Sequence, residues 1–343
     1  MKIAIADDQI LALEALRRVI TTVPDYKIIW IAKNGQEAVD NCAKELPDLI
    51  LMDLVMPVMD GVEATKLIME KYNCPILIVT STVKDSSSRV FDAMGYGALD
   101  VVCTPNLGLK GKLSGGDELI QKIETIRKLV KKDTTNYSIR INELRADNIA
   151  FPIIAIGSST GGPKALAKVL STLPYHIDTA IVIVQHIDSK FAVELSLWLS
   201  SQTTVPVSLI EENMKIEENN IYLAASEKHL IIGTDLNFHY IEEPKDYPFR
   251  PSVDVFFRSL KNNWNNKGVA AILTGMGRDG ADGLLLLKND GWFTIAQDKA
   301  SSVIFGMPKA AVAIDAATRV LPIDTIGETM IKKIYSYKKR GAL

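Results

Sequence analysis

Short apolar runs alternate with helix-length amphipathic stretches along most of this chain, and that alternation limits the fold more than any other feature. In the first third the runs are Lys2–Asp8 (KIAIADD), Ile28–Ala32, Asp48–Asp53 (DLILMD), Pro75–Ser81 and Leu99–Cys103. Each is short and nearly continuous in apolar character, as expected of a strand covered on both faces. Helical patterns separate them: Leu11 to Ile20, Gly35 to Leu46, Val62 to Tyr72, a stretch ending near Met94, and a last one from about Asp117 to Lys131. Strand–helix alternation of this kind predicts a five-stranded, doubly wound parallel sheet.

Working groups in such sheets collect at the carboxyl ends of the strands. Asp7, Asp8 and Asp53 all fall there, directly after buried runs. Three carboxylates at one edge repel each other unless a cation neutralises them, and hard oxygen ligands in a partly hydrated site favour magnesium. The competing reading is three solvated strand-end acids. Thr80 ends the fourth run and is placed to hydrogen-bond an acyl phosphate on Asp53.

The alternation resumes at residues 151–170, FPIIAIGSSTGGPKALAKVL. An apolar run stops at Gly157, a turn of small residues follows, and Pro163 opens a helical pattern (Ala165, Leu166, Val169, Leu170). Proline suits the first helical turn, where its missing N–H costs nothing. A serine on such a turn sits among unpaired N–H groups at a helix N-terminus. Gly157-Ser158-Ser159-Thr160-Gly161 satisfies the G-x-S-x-G nucleophile pattern in the strand-to-helix context it requires. A phosphate-binding turn and a structural Gly/Ser turn are the alternatives.

Downstream come TAIVIVQHI (Thr179–Ile187), a helix over Phe191–Ser201, and a β-rich region (Val207–Ile210, Ile221–Ala224, His229–Ile232, Asn237–Glu242). Next are RPSVD with a helix over Val253–Asn262, and GVAAILTGMGRDGADGLLLLKNDG (Gly268–Gly291), a third apolar run ending in a Gly-rich turn and a helix. Trp292–Gln297 and a helix near Pro308–Ala317 complete the reading. Ser159, His186 and Asp279 therefore all lie just past the carboxyl ends of apolar strands. A serine nucleophile needs a base, and the base needs an acid to fix its tautomer. His186 is the favoured base. His176 reads as solvated, and His229 and His239 as packed or surface histidines. For the acid, Asp279 competes with Asp188, Asp254 and Asp282; Asp282 suits a helix start and Asp254 a cap on the helix that follows it. The order Ser…His…Asp differs from the Ser…Asp…His of α/β-hydrolases. GSSTGG is not G-x-G-x-x-G, which argues against dinucleotide binding.

The 343 residues allow two domains with full cores. A net charge of −2 shows no basic surface for nucleic acid or anionic lipid. No apolar run approaches membrane-spanning length, and MKIAIADDQ does not read as a signal peptide. The three cysteines lack disulfide or zinc spacing and suit a reducing, cytoplasmic setting; four histidines make a histidine-rich metal site unexpected. Residues 106–150 change character: a Gly/Lys-rich stretch, one amphipathic helix, then a polar tract. They divide the chain into 1–125, a linker over 126–150, and 151–343.

Asp7-Asp8, Asp53 followed by Met56-Pro57 and Asp60-Gly61, and Thr80 resemble the receiver domain of response regulators. The resemblance implies phosphorylation of Asp53 by a histidine kinase, with magnesium held by Asp8, Asp53 and the Val55 carbonyl and Asp7 assisting. The chain departs from the receiver pattern at Thr104-Pro105, where a Lys-Pro pair is usual, and at Val101, where the strand usually carries an aromatic residue. Threonine brings no charge and cannot replace an ammonium as phosphate counter-ion.

GSSTGG, QH, RPSVD and TGMGRDGADG together resemble the catalytic domain of the chemotaxis protein-glutamate methylesterases, the CheB family. The implied fold is a doubly wound receiver followed by an α/β methylesterase domain with a mostly parallel sheet. The implied activity is hydrolysis of glutamate γ-methyl esters on chemoreceptors, and deamidation of receptor glutamines, in chemotaxis adaptation. Carried over by motif, Ser159 is the nucleophile, His186 the base and Asp279 the acid. The Met276 N–H contributes to the oxyanion hole, and Arg250 lines the substrate cleft. Methylated chemoreceptors are the implied substrate and a chemotaxis histidine kinase the implied phosphodonor. In that family the unphosphorylated receiver covers the catalytic cleft. The esterase site needs no cofactor. The rival reading is a signalling scaffold with a degenerate receiver and secondary esterase activity. A DNA-binding regulator would need a helix-turn-helix and a basic face, which the second domain lacks.

Overall fold

A computed structural model of the chain describes residues 1–81, 87–107, 113–130, 151–245 and 247–341. They divide into two compact units, Met1–Asp133 and Thr134–Leu343.

The first unit holds the five expected strands: β1 (Lys2–Ala6), β2 (Lys27–Ala32), β3 (Leu49–Met52), β4 (Ile76–Thr80) and β5 (Asp100–Cys103). They pair in parallel in the order β2-β1-β3-β4-β5. Helices α1 (Ile10–Thr21), α2 (Gly35–Lys44), α3 (Gly61–Tyr72), α4 (Ser87–Gly95) and α5 (Gly116–Val130) connect or follow them. Every residue of β3 and β4 is buried, which is why those runs carry no polar alternation. Local signals set the helix ends. Asn34 and Asp60 accept the N–H of Glu37 and Glu63 and so cap α2 and α3. Gly61 has a second reason to be glycine: a Cβ there would lie 1.9 Å from the Asp53 carbonyl oxygen. The Asp-Gly pair thus lets α3 start hard against the strand end that carries Asp53.

Helix α5 runs through Val130 with Ile126 buried, so the first residues of the expected linker, 126–130, are helical. The remainder of the expected linker lies outside the described residues. Two short strands not anticipated from the sequence, β6 (Asn106–Leu107) and β7 (Leu113–Ser114), pair antiparallel ahead of α5.

The second unit is a seven-stranded parallel sheet. Its strands are β8 (Ile153–Ser158), β9 (Ala180–Gln185), β10 (Val207–Leu209), β11 (Asn220–Leu223), β14 (Val269–Ile272), β15 (Phe293–Gln297) and β16 (Arg319–Leu321), after the separate antiparallel hairpin of β12 (His229–Ile232) and β13 (Phe238–Ile241) is set aside. The sheet order is β10-β11-β9-β8-β14-β15-β16. Helices α6 (Gly162–Leu170), α7 (Ala192–Ser200), α8 (Val253–Asn263), α9 (Ala281–Asn289), α10 (Met307–Ala313) and α11 (Ile323–Gly341) complete the unit. The core cluster joins β8, β9 and β14 to α8, α9 and α10 through Val182, Val184, Phe256, Phe257, Leu284 and Met307, among others. The sequence reading stopped before β16 and α11. Helix α11 buries Ile326, Met330 and Ile334, a helical spacing that was present in the sequence, and packs on α6.

Candidate active site

Strand β8 is the switch point of the second sheet: β9 lies on one side of it and β14 on the other. Chain connections diverge there, which opens a crevice at the carboxyl ends. Ser159 follows β8, His186 follows β9, and Asp279 lies in the turn after β14. All three are buried.

The backbone ties these ends together. The Ser159 N–H donates to the Thr274 carbonyl (3.0 Å), and the His186 N–H to the Ser158 carbonyl (3.0 Å). Gln185, fully buried, adds a side-chain lock. Its amide nitrogen donates to the carbonyls of Ser159 and His186 (both 2.9 Å), and its oxygen accepts the Ser158 hydroxyl (2.6 Å). A Cβ on Gly162 would meet that Gln185 oxygen at 1.9 Å, so the second glycine of the turn makes room for the lock. Gly161 supplies the positive φ of 77° from which α6 starts.

Asp279 accepts four hydrogen bonds. His186 Nε2 lies 2.8 Å from its Oδ2, and the Val253 N–H donates to the same oxygen at 2.7 Å. Its Oδ1 takes the Ser252 hydroxyl (2.7 Å) and the Asp254 N–H (3.1 Å). The carboxylate therefore sits on the N-terminus of α8, where N–H groups and the helix dipole favour negative charge. Burial works to raise its pKa. The His186 bond and charge, the Ser252 hydroxyl and the Val253 N–H outweigh that, and the net shift is downward. An ionised carboxylate only accepts, so Nε2 of His186 carries the proton. The other ring nitrogen, Nδ1, is buried and has no partner among the described residues.

The other acids are excluded by geometry. Asp188 caps the short turn at Ser189–Phe191, and Asp282 pairs with Arg278 at 3.0 Å. Asp254 does not cap its own helix, the role read from sequence; Ser252 does that. Asp254 Oδ1 instead accepts the Gly283 N–H at 2.6 Å, in the first turn of α9. Helices α8 and α9 thus exchange carboxylates, Asp279 on the start of one and Asp254 on the start of the other. Burial, then the Asp279 charge, pushes the Asp254 pKa up.

Met276 follows Gly275 directly, and a Cβ on Gly275 would fall 2.8 Å from Ser159 Cβ. That closeness puts the start of the Gly-rich turn against the serine. The Met276 N–H enters no hydrogen bond among the described residues. Arg250 is exposed and donates to the Lys245 carbonyl at 2.8 Å rather than to Asp279. Its neighbour Phe249 stacks on the His186 ring, centroids 4.1 Å apart and planes 12° from parallel. Gln185 and Ser252 belong to the QH and RPSVD motifs but received no role from sequence, and Phe249 was not singled out; only the folded chain shows which way each faces.

In the first unit, single oxygens of Asp7, Asp8 and Asp53 lie within 4.8 Å of one another. Burial pushes the Asp7 pKa up to about 7, and neighbouring Asp53 and Asp8 add to the rise. Burial likewise lifts Asp53 to about 6, against the N–H bonds of Leu54 and Val55. Three crowded carboxylates, Asp7 and Asp53 buried and Asp8 exposed, are a donor set that fits a hard divalent cation in a partly hydrated site. The Val55 N–H donates to Asp53 Oδ2 at 3.1 Å. Thr80 is buried at the end of β4, and its carbonyl accepts the N–H of Thr104. Val101 is fully buried in β5.

Comparison with known proteins places both units. Residues 154–330 match the model of the family described as CheB methylesterase, and residues 3–106 that of the response regulator receiver domain. The protein-glutamate methylesterase/protein-glutamine glutaminase 1 of Bordetella avium is 44% identical over 97% of both chains. The corresponding protein of the group 3 operon of Pseudomonas putida is 47% identical over 95% of this chain and 97% of its own. Among solved structures, the CheB methylesterase catalytic domain of Thermotoga maritima covers 54% of this chain and all of its own, with 34% identity and a TM-score of 0.52. From its N-terminal receiver to the sheet that carries Ser159, this chain belongs to the CheB methylesterase family.

Proposed function

We propose that the protein hydrolyses glutamate γ-methyl esters, and deamidates glutamines, on chemoreceptors by a Ser159–His186–Asp279 triad. The observation that carries this reading is the His186 ring: Nε2 committed to Asp279, Nδ1 buried and unpartnered, one strand away from Ser159. Ser159 Oγ attacks the ester carbonyl while His186 Nδ1 takes its proton. The tetrahedral oxyanion is met by backbone N–H groups that include Met276. The intermediate collapses as His186 protonates the leaving methoxide, and methanol departs from an acyl-enzyme on Ser159. Water, deprotonated by the same nitrogen, releases the glutamate. With a glutamine side chain the leaving group is ammonia, so one site serves both reactions. Phe249 keeps one face of His186 from solvent, and exposed Arg250 beside it lines the entrance.

The receiver reading is that Asp53 accepts a phosphoryl group from a chemotaxis histidine kinase. Asp8, Asp53 and the Val55 carbonyl would hold magnesium, with Asp7 assisting. When bound, the cation neutralises the crowded carboxylates and offsets the phosphoryl charge. A second reading, a scaffold whose receiver docks a partner, has Thr104 in its favour, because no ammonium follows β5 at that position. No helix among the described residues is long and apolar enough to cross a membrane.

Methanol release from methylated receptor membranes tests the reading, using the full chain and Ser159→Ala, each with and without a phosphoryl mimic plus magnesium. Release by the full chain that is lost in Ser159→Ala supports the triad. No release under either condition points to the scaffold.

A further inference from the structure

Outside the triad, the second unit holds one fully buried histidine. His229 opens β12. Its Nε2 lies 2.9 Å from the Pro244 carbonyl oxygen, and its Nδ1 lies 3.1 Å from the Ser252 nitrogen. Those two partners settle the ring's state. A carbonyl accepts, so Nε2 carries a proton; a backbone N–H donates, so Nδ1 is a bare lone pair. His229 is therefore neutral, with no freedom to switch tautomer.

Its partners lead straight to the triad. Ser252, held by His229 through its N–H, donates its hydroxyl to Asp279 Oδ1. The Val253 N–H, one residue on, donates to Asp279 Oδ2, the oxygen that faces His186. Phe249, three residues before Ser252, stacks on the His186 ring. Tyr247 packs edge-on against His229 itself, centroids 5.8 Å apart. One buried ring thus anchors the segment that both feeds hydrogen bonds to the catalytic acid and covers the catalytic base.

We propose that His229 is a positioning residue for the esterase reaction: in its neutral form it holds the Ser252 N–H and, through Ser252, fixes Asp279 and His186 for proton transfer. This rests on the triad reading above. Protonating Nδ1 would set a ring N–H against the Ser252 N–H and break the chain of contacts at its first link. The charged and titratable groups that face the ring are Arg250 and Glu243 from the segment around it, Asp279 from the turn before α9, and the Tyr247 hydroxyl-bearing ring. Burial lowers the His229 pKa and the Arg250 charge acts the same way; the Pro244 carbonyl, Asp279 and Glu243 oppose without reversing it. The shift favours the neutral form, the one the two hydrogen bonds require.

The test uses two full-chain variants that divide the two hydrogen bonds, with methanol release measured as a function of pH. His229→Asn puts an amide oxygen near the Nδ1 position and keeps an acceptor for Ser252. His229→Gln puts an amide nitrogen near the Nε2 position and keeps the donor to Pro244. In His229→Gln kcat is expected to fall by about 10- to 100-fold, the scale known for groups that orient metal-ligating histidines, and in His229→Asn by clearly less. The acid limb of kcat/KM is expected to be shallower in both variants, since one protonation that inactivates the wild type is gone. Thermal melts establish that each variant is folded before rates are compared. Equal losses in folded Asn and Gln variants with the wild-type acid limb, or no loss in either, would overturn the proposal while Ser159→Ala remains inactive. If Ser159→Ala instead keeps its activity, the triad reading fails and this inference falls with it.

Discussion

His186 Nε2 and Asp279 Oδ2 stand 2.8 Å apart with both side chains almost wholly removed from water, 4% and 6% exposed. A pair so buried survives because the carboxylate is held by three further donors on the N-terminus of α8. Breaking it is expected to hurt chemistry more than folding. In Asp279→Asn the amide can present its nitrogen to His186 and stabilise the wrong tautomer; a fall in kcat of about 10⁴-fold is expected, as for the acid of other serine triads. Methanol release by purified protein measures it, and a loss under tenfold contradicts the assigned role.

Gln185 is predicted to matter for stability as well as activity. Gln185→Leu leaves the His186 carbonyl and the Ser158 hydroxyl without the partners they have here, and takes one of two donors from the Ser159 carbonyl, which keeps the Gly162 N–H at 2.7 Å. Each unsatisfied buried group costs about 1–3 kcal/mol. Chemical denaturation of the variant is expected to show a loss of several kcal/mol, and a loss below 1 kcal/mol contradicts the lock.

Gly275 is the test of crowding at the nucleophile. In Gly275→Ala the new methyl meets Ser159 Cβ at 2.8 Å and Met307 Sδ at 2.3 Å. Overpacking of this kind costs about 1–3 kcal/mol. The methionine can move but Ser159 is fixed by backbone bonds, so kcat is expected to fall further than the melting temperature suggests. Wild-type kcat in the variant contradicts the close approach.

In the receiver the sign of the pH dependence is fixed by burial. Burial places Asp7 and Asp53 at about 7 and about 6 in the folded chain, against 3.8 for an ordinary aspartate. The folded state binds more protons than the unfolded state above that value, so their contribution to stability is greatest in acid and is lost as pH rises through about 6 and 7. Magnesium held by these carboxylates would reverse this by favouring the ionised forms. The melting transition of the first unit is expected to shift upward with magnesium at pH 8 and hardly at all at pH 5. Equal shifts at the two pH values contradict a carboxylate-held cation.

Thr104 gives a prediction in the direction of gain. Thr104→Lys supplies a cation after β5, and hydrogen bonds to charged groups are worth about 1.5–3 kcal/mol. Binding of a phosphoryl mimic with magnesium, followed by fluorescence or calorimetry, is expected to tighten about tenfold or more. Unchanged affinity would show that Thr104 does not face the phosphoryl position.

The sequence made much of this legible, for physical reasons. Parallel strands buried on both faces leave unbroken apolar runs, so β1, β3, β4, β8, β9 and β14 were visible directly, and with them the strand ends where Ser159, His186 and the receiver acids lie. The choice among four aspartates was not readable from spacing, and only the family resemblance pointed to Asp279. The choice depends on α8 turning its N-terminus toward the turn after β14, a long-range contact with no local signature. The role of Asp254 was misread for the same reason, since its partner, the Gly283 N–H, is 29 residues away. Strand β16 was missed because it is a short edge strand with little burial. His229 looked like a packing residue, and packing is part of what it does; its two polar partners appear only when Pro244 and Ser252 come around it.

The most direct test of the central claim is the site of covalent modification by a fluorophosphonate, located by mass spectrometry of the full chain. Activation of Ser159 by His186 predicts a single phosphonyl adduct on Ser159, absent in Ser159→Ala and strongly slowed in His186→Ala. An adduct on another residue, or undiminished labelling of Ser159 in His186→Ala, would contradict it.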